Sequence, residues 1–151
     1  GVDRILIADH QFPGTDGPWS PDETRRRLAD GLSADDALDL LIEASIRAME
    51  GTRHAQLAHW FSILPKVGLS EEQLGADRLA AWASAAAATG TLVEVNEKWG
   101  CPGPVAVLAL RDAGARIVAS TDSHDAADVG RYDRVTAVLD AVEASEREER
   151  R

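Results

Sequence analysis

Four short apolar runs recur along the chain, and they constrain its fold more than any other feature. They are "RILIA" at 4–8, "HAQLAHWFSIL" at 54–64, "TLVEVNEKW" at 91–99 and "RIVAST" at 116–121. Apolar runs without polar alternation belong to strands covered on both faces, the usual state of a parallel sheet. Helical patterns separate them. Ser33, with Asp36 three residues on, opens a helix whose Leu38, Leu41, Ile42, Ile46 and Met49 share one stripe and which Gly51 stops. "SEEQ" at 70–73 repeats the capping pattern ahead of an Ala-rich helix that carries Leu79 and Trp82 and stops at Gly90. Pro102–Ala113 reads as a third helix, with Pro near its start and Gly114 just past its end. The last segment, from Asp133, turns Val135, Val138, Leu139 and Val142 inward. Strand and helix in alternation predict about four βα units with helical crossovers. The Gly- and Pro-rich stretch "PGTDGPWSPDE" at 13–23 reads as a loop at the mouth of the site. It lacks the Gly-Lys-Ser/Thr ending of a phosphate-binding loop.

A chain of 151 residues without a long linker reads as one domain, 1–151. Its net charge of −10 argues against nucleic acid or an anionic membrane as partner. An anionic substrate stays open, because bound cations reverse the local field. No apolar run approaches the roughly 20 residues of a membrane span. The lone Cys101 forms no internal disulfide, so a cytoplasmic location is the expectation. No His lies close enough in sequence to make that thiol a nucleophile.

The polar residues of interest sit at the C-terminal ends of the runs, where parallel α/β folds bind ligands. His10 ends the first, His59 falls near the end of the second, Glu94 and Asn96 lie on the third, and Asp122 and His124 follow the fourth. Imidazole and carboxylate are the common ligands of Zn, Mn and Fe. Residues i and i+2 just past a strand both reach toward its mouth. His10, His59, Asp122 and His124 therefore form a candidate metal set. Each also has a plainer reading: a strand-end His as a hydrogen-bonded structural residue, Asp122 as a helix cap. Trp19, Trp60, Trp82 and Trp99 read as core or pocket wall.

"IVASTDSHDAADVG" at 117–130 resembles the C-terminal motif of the PHP (polymerase and histidinol phosphatase) superfamily, in which a strand runs into Ser-Asp-x-His. "HAQLAHWFSILPKVGLS" resembles the family's Leu-Ala-His-Pro segment, with Trp60 in place of Pro. "LIADHQF" resembles the segment whose strand ends in a metal-binding His, here His10, and "TLVEVNEKWGCPGP" the strand carrying Glu-x-Asn, here Glu94 and Asn96. The resemblance implies a distorted, TIM-like barrel of seven βα units, of which this chain covers about four. It implies a metal-dependent phosphoesterase that hydrolyses phosphomonoesters of a small metabolite or nucleotide. Two or three divalent cations (Mn, Zn or Fe) would be held in part by His10, His59, Asp122 and His124. Asp122 and His124 would be catalytic, and Lys98, Asn96, Glu94 and Arg131 would face the substrate. The family's His-x-His occurs nowhere in the chain. The expectation is therefore the C-terminal part of a PHP barrel, completed by a preceding segment or by a second copy. The alternative is a non-catalytic half-barrel that serves as an interaction module.

Overall fold

The computed structural model describes residues 3–151. The chain opens with strand β1 (Ile5–Ala8), then a two-stranded hairpin, β2 (Phe12–Gly14) and β3 (Gly17–Trp19). Helices α1 (Pro21–Ala29) and α2 (Ala34–Gly51) follow, then β4 (Ala55–Ala58), the short α3 (Ile63–Val67) and α4 (Gly75–Thr89). Next come β5 (Leu92–Asn96), α5 (Pro104–Asp112), β6 (Arg116–Ser120) and α6 (Asp133–Glu149). The strands β1, β4, β5 and β6 form one parallel sheet in that spatial order, so strand order follows chain order without a reversal.

Three expectations need correction. The run at 54–64 is strand only over Ala55–Ala58. His59 and Phe61 take positive φ values of 39° and 78°, which bends the chain out of the sheet, and Ile63 starts α3. The stretch at 13–23 is not bare loop. Phe12 and Trp19 pair across the hairpin and are both buried, and Ser20 caps α1 through the Glu23 amide. The third helix begins at Pro104, capped by Gly103, and not at Pro102. The capping patterns hold. Ser33 Oγ accepts from the Asp36 amide (3.0 Å), and both arms of the Ser70–Gln73 box are formed, on a 3-10 turn that leads into α4.

One row of the sheet, Ile7–Leu57–Val93–Ile117 in register, packs against the helices. Leu38, Leu41, Ile42 and Met49 of α2, Trp82 and Ala86 of α4, and Leu110 of α5 complete that core. Val95, Val107, Val135, Val138 and Val142 extend it under α6. Crossovers of one hand along a sheet whose order never reverses lay α2, α4, α5 and α6 on one face. The other face carries the row Leu6–Gln56–Leu92–Arg116, in which Leu6 is 63% exposed. Among the described residues no helix is long and apolar enough to cross a membrane.

Candidate functional site

The site begins with a carboxylate that points away from the mouth. Asp9 follows β1 and is buried (side chain 1% exposed), so its oxygens must find donors within the chain. They find three. Ser62 Oγ–H donates to Oδ1 (2.8 Å), the Ile63 amide donates to Oδ2 (3.0 Å), and His59 Nδ1 lies 3.1 Å from Oδ1. His59 Nδ1 is also 3.0 Å from Ser62 Oγ. All these contacts are satisfied together when Nδ1 carries the proton and the Ser62 hydroxyl gives its own to Asp9. The His59 tautomer is thereby set, and Nε2 is the free nitrogen. The hydrogen bond to Asp9 holds the His59 pKa above the usual histidine value, against the opposing effect of burial, and the nearby charges of Asp9 and Asp122 raise it too.

That free Nε2 lies 3.3 Å from Nε2 of His10, and the two rings stack with centroids 5.1 Å apart. The separation suits an N–H···N hydrogen bond. It also suits a shared cation: two imidazoles on tetrahedral zinc, with Zn–N near 2.0–2.1 Å, stand about 3.3–3.4 Å apart. A carboxylate behind the ligating imidazole is the usual support of such a ligand. The donors of the pair thus fit a divalent cation.

The β6 end forms the second half of the site. Asp122 takes φ 48°, and His59 and Asp122 are two of the four non-glycine residues described with positive φ. Asn, Asp and His tolerate this region best, and strained backbone concentrates at functional sites. His124 is exposed, and its Nδ1 lies 2.8 Å from the Asp122 carbonyl and 3.0 Å from Lys98 Nζ. One nitrogen cannot donate to the first and accept from the second. Donation to the carbonyl, the shorter contact, leaves Nε2 free to act. A cavity of about 310 Å³ opens here, lined among others by Lys98, Asp122, His124, Arg131 and Arg134. Arg131 is exposed and pairs with Asp133 at 3.3 Å.

The four expected ligands do not meet as one cluster. His10 and His59 touch, and Asp122 is near enough to act on His59, but His124, its Nδ1 3.9 Å from Asp122 Oδ1, gives that nitrogen to the Asp122 carbonyl. Among the described residues no three His, Cys, Asp or Glu side chains are gathered as a metal site. Glu94 and Asn96 are buried, and their polar atoms are engaged inside the chain. Glu94 accepts from Gln56 Nε2 (3.2 Å) and Asn96 Nδ2 (2.6 Å), and Asn96 Oδ1 accepts from the Trp99 amide (3.0 Å). They set the loop that carries Lys98 and Trp99.

Asp9, Ser62 and Glu97 escape sequence reading. Asp9 adjoins His10, yet alternation sends the two side chains to opposite faces. A lone carboxylate ending an apolar run was the available signal. Glu97 accepts from the amides of Arg134 and Val135 and so fixes the start of α6 beside Lys98. Cys101 is buried, and burial pushes its thiol well above the usual range, in keeping with an inert residue. Comparison with protein-family models, with curated proteins and with solved structures gives no match.

Proposed function

We propose that the chain forms part of a PHP-type, TIM-like barrel and that its strand ends contribute to a metal-dependent phosphoesterase site. The observation that carries this reading is the His10–His59 nitrogen pair at 3.3 Å with Asp9 behind it. A strand order that follows chain order, with helices on one face, supports the barrel sense over a doubly wound sheet, whose strand order reverses. A divalent cation would be held by His10 and His59 with Asp122 beside them, and when bound it would neutralise phosphate charge and activate water. The chain's own residues do the rest. Asp9 keeps the proton on His59 Nδ1. Lys98 and Arg131 place positive charge beside the phosphate. His124, through Nε2, gives a proton to the departing oxygen. The bond from phosphorus to the alcohol oxygen breaks, a bond to the water oxygen forms, and alcohol and inorganic phosphate leave.

The test is a Zn²⁺ titration by calorimetry, paired with hydrolysis of an aryl phosphate in Mn²⁺ or Zn²⁺. One cation bound per chain, lost in His59→Ala and His10→Ala, is the expected result. Turnover should be slow, since the family's His-x-His is absent. Absence of both binding and turnover refutes the reading. It favours instead the non-catalytic half-barrel, which the exposed Leu6 at the β1 edge supports.

A further inference from the structure

A second cavity belongs to no step above. It measures about 580 Å³, within the roughly 300–1,000 Å³ of small-molecule sites. Phe61, Leu69, Leu79 and Val105 supply apolar wall, and the Trp99 ring stands at its edge. Trp99 and Val105 are 41% and 71% exposed, an unusual cost for large apolar side chains on two adjoining elements.

The cavity shares walls with the candidate site. The Trp99 ring centroid is 6.3 Å from that of His59. Ser62, another lining residue, contacts His59 Nδ1, and the Cys101 thiol donates to the His59 carbonyl (3.3 Å). Lys66 Nζ stands 4.3 Å from the Trp99 ring centre and holds the ring from one side. The charge on the lining has one sign. Glu71 and Glu72 face the cavity, and no Lys, Arg or His lines it. The Glu72 carboxylate disfavours a second phosphate or a carboxylate on the ligand there, whereas an uncharged hydrophobic group gains by leaving water.

We infer that this cavity receives the alcohol part of the substrate, so that the site takes monophosphate esters of uncharged, apolar alcohols, aryl or branched alkyl, in preference to nucleotides or polyol phosphates. The inference rests on the phosphoesterase reading for the ester and on the cavity alone for the apolar group.

The experiment uses the 151-residue chain with Mn²⁺ or Zn²⁺. Hydrolysis of 2-naphthyl phosphate, glycerol 2-phosphate and adenosine monophosphate is compared, and 2-naphthol binding is titrated separately by fluorescence. The naphthyl ester should lead in kcat/KM by about tenfold or more, a difference of about 1.4 kcal/mol. Trp99→Ala and Val105→Glu should each weaken 2-naphthol binding by about tenfold and raise KM for the naphthyl ester alone. Both positions are exposed, and circular dichroism checks that each variant folds. Ester hydrolysis without preference, together with no Trp99-dependent naphthol binding, overturns the inference and leaves the phosphoesterase reading standing. Trp99-dependent naphthol binding with no ester hydrolysed keeps the cavity as an apolar-ligand site and overturns its assignment to the alcohol part of a substrate.

Discussion

Asp9 offers two oxygens to three donors, and an amide in its place offers one. Asp9→Asn should therefore release His59 from its fixed tautomer. Zinc affinity should fall about 10- to 100-fold, the usual effect of losing a ligand's supporting carboxylate. Nitrogen-15 NMR of the His59 ring should show both tautomers where the parent shows one. Unchanged affinity with an unchanged ring spectrum would make Asp9 a folding residue only. Glu71 presents the opposite electrostatic case. Burial raises its pKa to about 7, outweighing the hydrogen bond from the Gly103 amide, and the charges of Glu72 and Asp9 add to the rise. A carboxyl group whose folded pKa lies above its unfolded value near 4.5 favours the fold while protonated. That contribution is complete below about pH 4.5 and is lost as pH climbs through about 7. Glu71→Gln keeps an acceptor for Gly103 and cannot ionise. It should melt above the parent at pH 8 and beside it at pH 4.5, and an equal difference at both pH values would show that charge is not the cause.

The helix caps were legible because each is a local contract between neighbours in sequence. Ser33→Ala removes the acceptor of the Asp36 amide and should cost about 1 kcal/mol. For a domain of this size that is a fall of about 2–4 °C in melting temperature, read by circular dichroism. The parallel strands were legible for a related reason: their apolar runs are short, continuous and spaced by amphipathic helices. Strand ends were less so. "HAQLAHWFSIL" is apolar throughout, and hydrophobicity alone does not mark where His59 turns to positive φ and the sheet gives way to α3. The hairpin of Phe12–Gly14 and Gly17–Trp19 was hidden by its prolines. Pro18 and Pro13 face each other in a two-stranded ribbon, where proline's missing donor is tolerated at an edge. Of the site, the placement of His10 and His59 at adjoining strand ends was readable. The approach of His124 to Lys98 was not, since it depends on how Glu97 and Asn96 order a loop.

At the scale of the molecule, helices cover one face of the sheet, and the other is buried at β5, through Leu92, Glu94 and Asn96, but open at β1. The strands β1 and β6 each have a single neighbour, so both edges are free, and four strands are too few to close a barrel. Leu6 is 63% exposed on β1, with the exposed Ala8 two residues on along the same face. Two forces then compete. Burial of that face favours association of two chains, at about 25 cal/mol per Å² of apolar area. The net charge of −10 on each chain opposes it. The second force is screened by salt, with a Debye length near 8 Å at physiological ionic strength and about 3 Å at 1 M, while the first is not weakened. The chain should therefore be largely monomeric at low salt and self-associate as salt rises, read by sedimentation velocity across a concentration series. Leu6→Lys places a charge on the open β1 edge of the face without touching the buried core, and should keep the chain monomeric at every salt concentration. Association that weakens with salt, or that survives Leu6→Lys, would place the contact elsewhere on the molecule and leave the open face as a surface the fold tolerates.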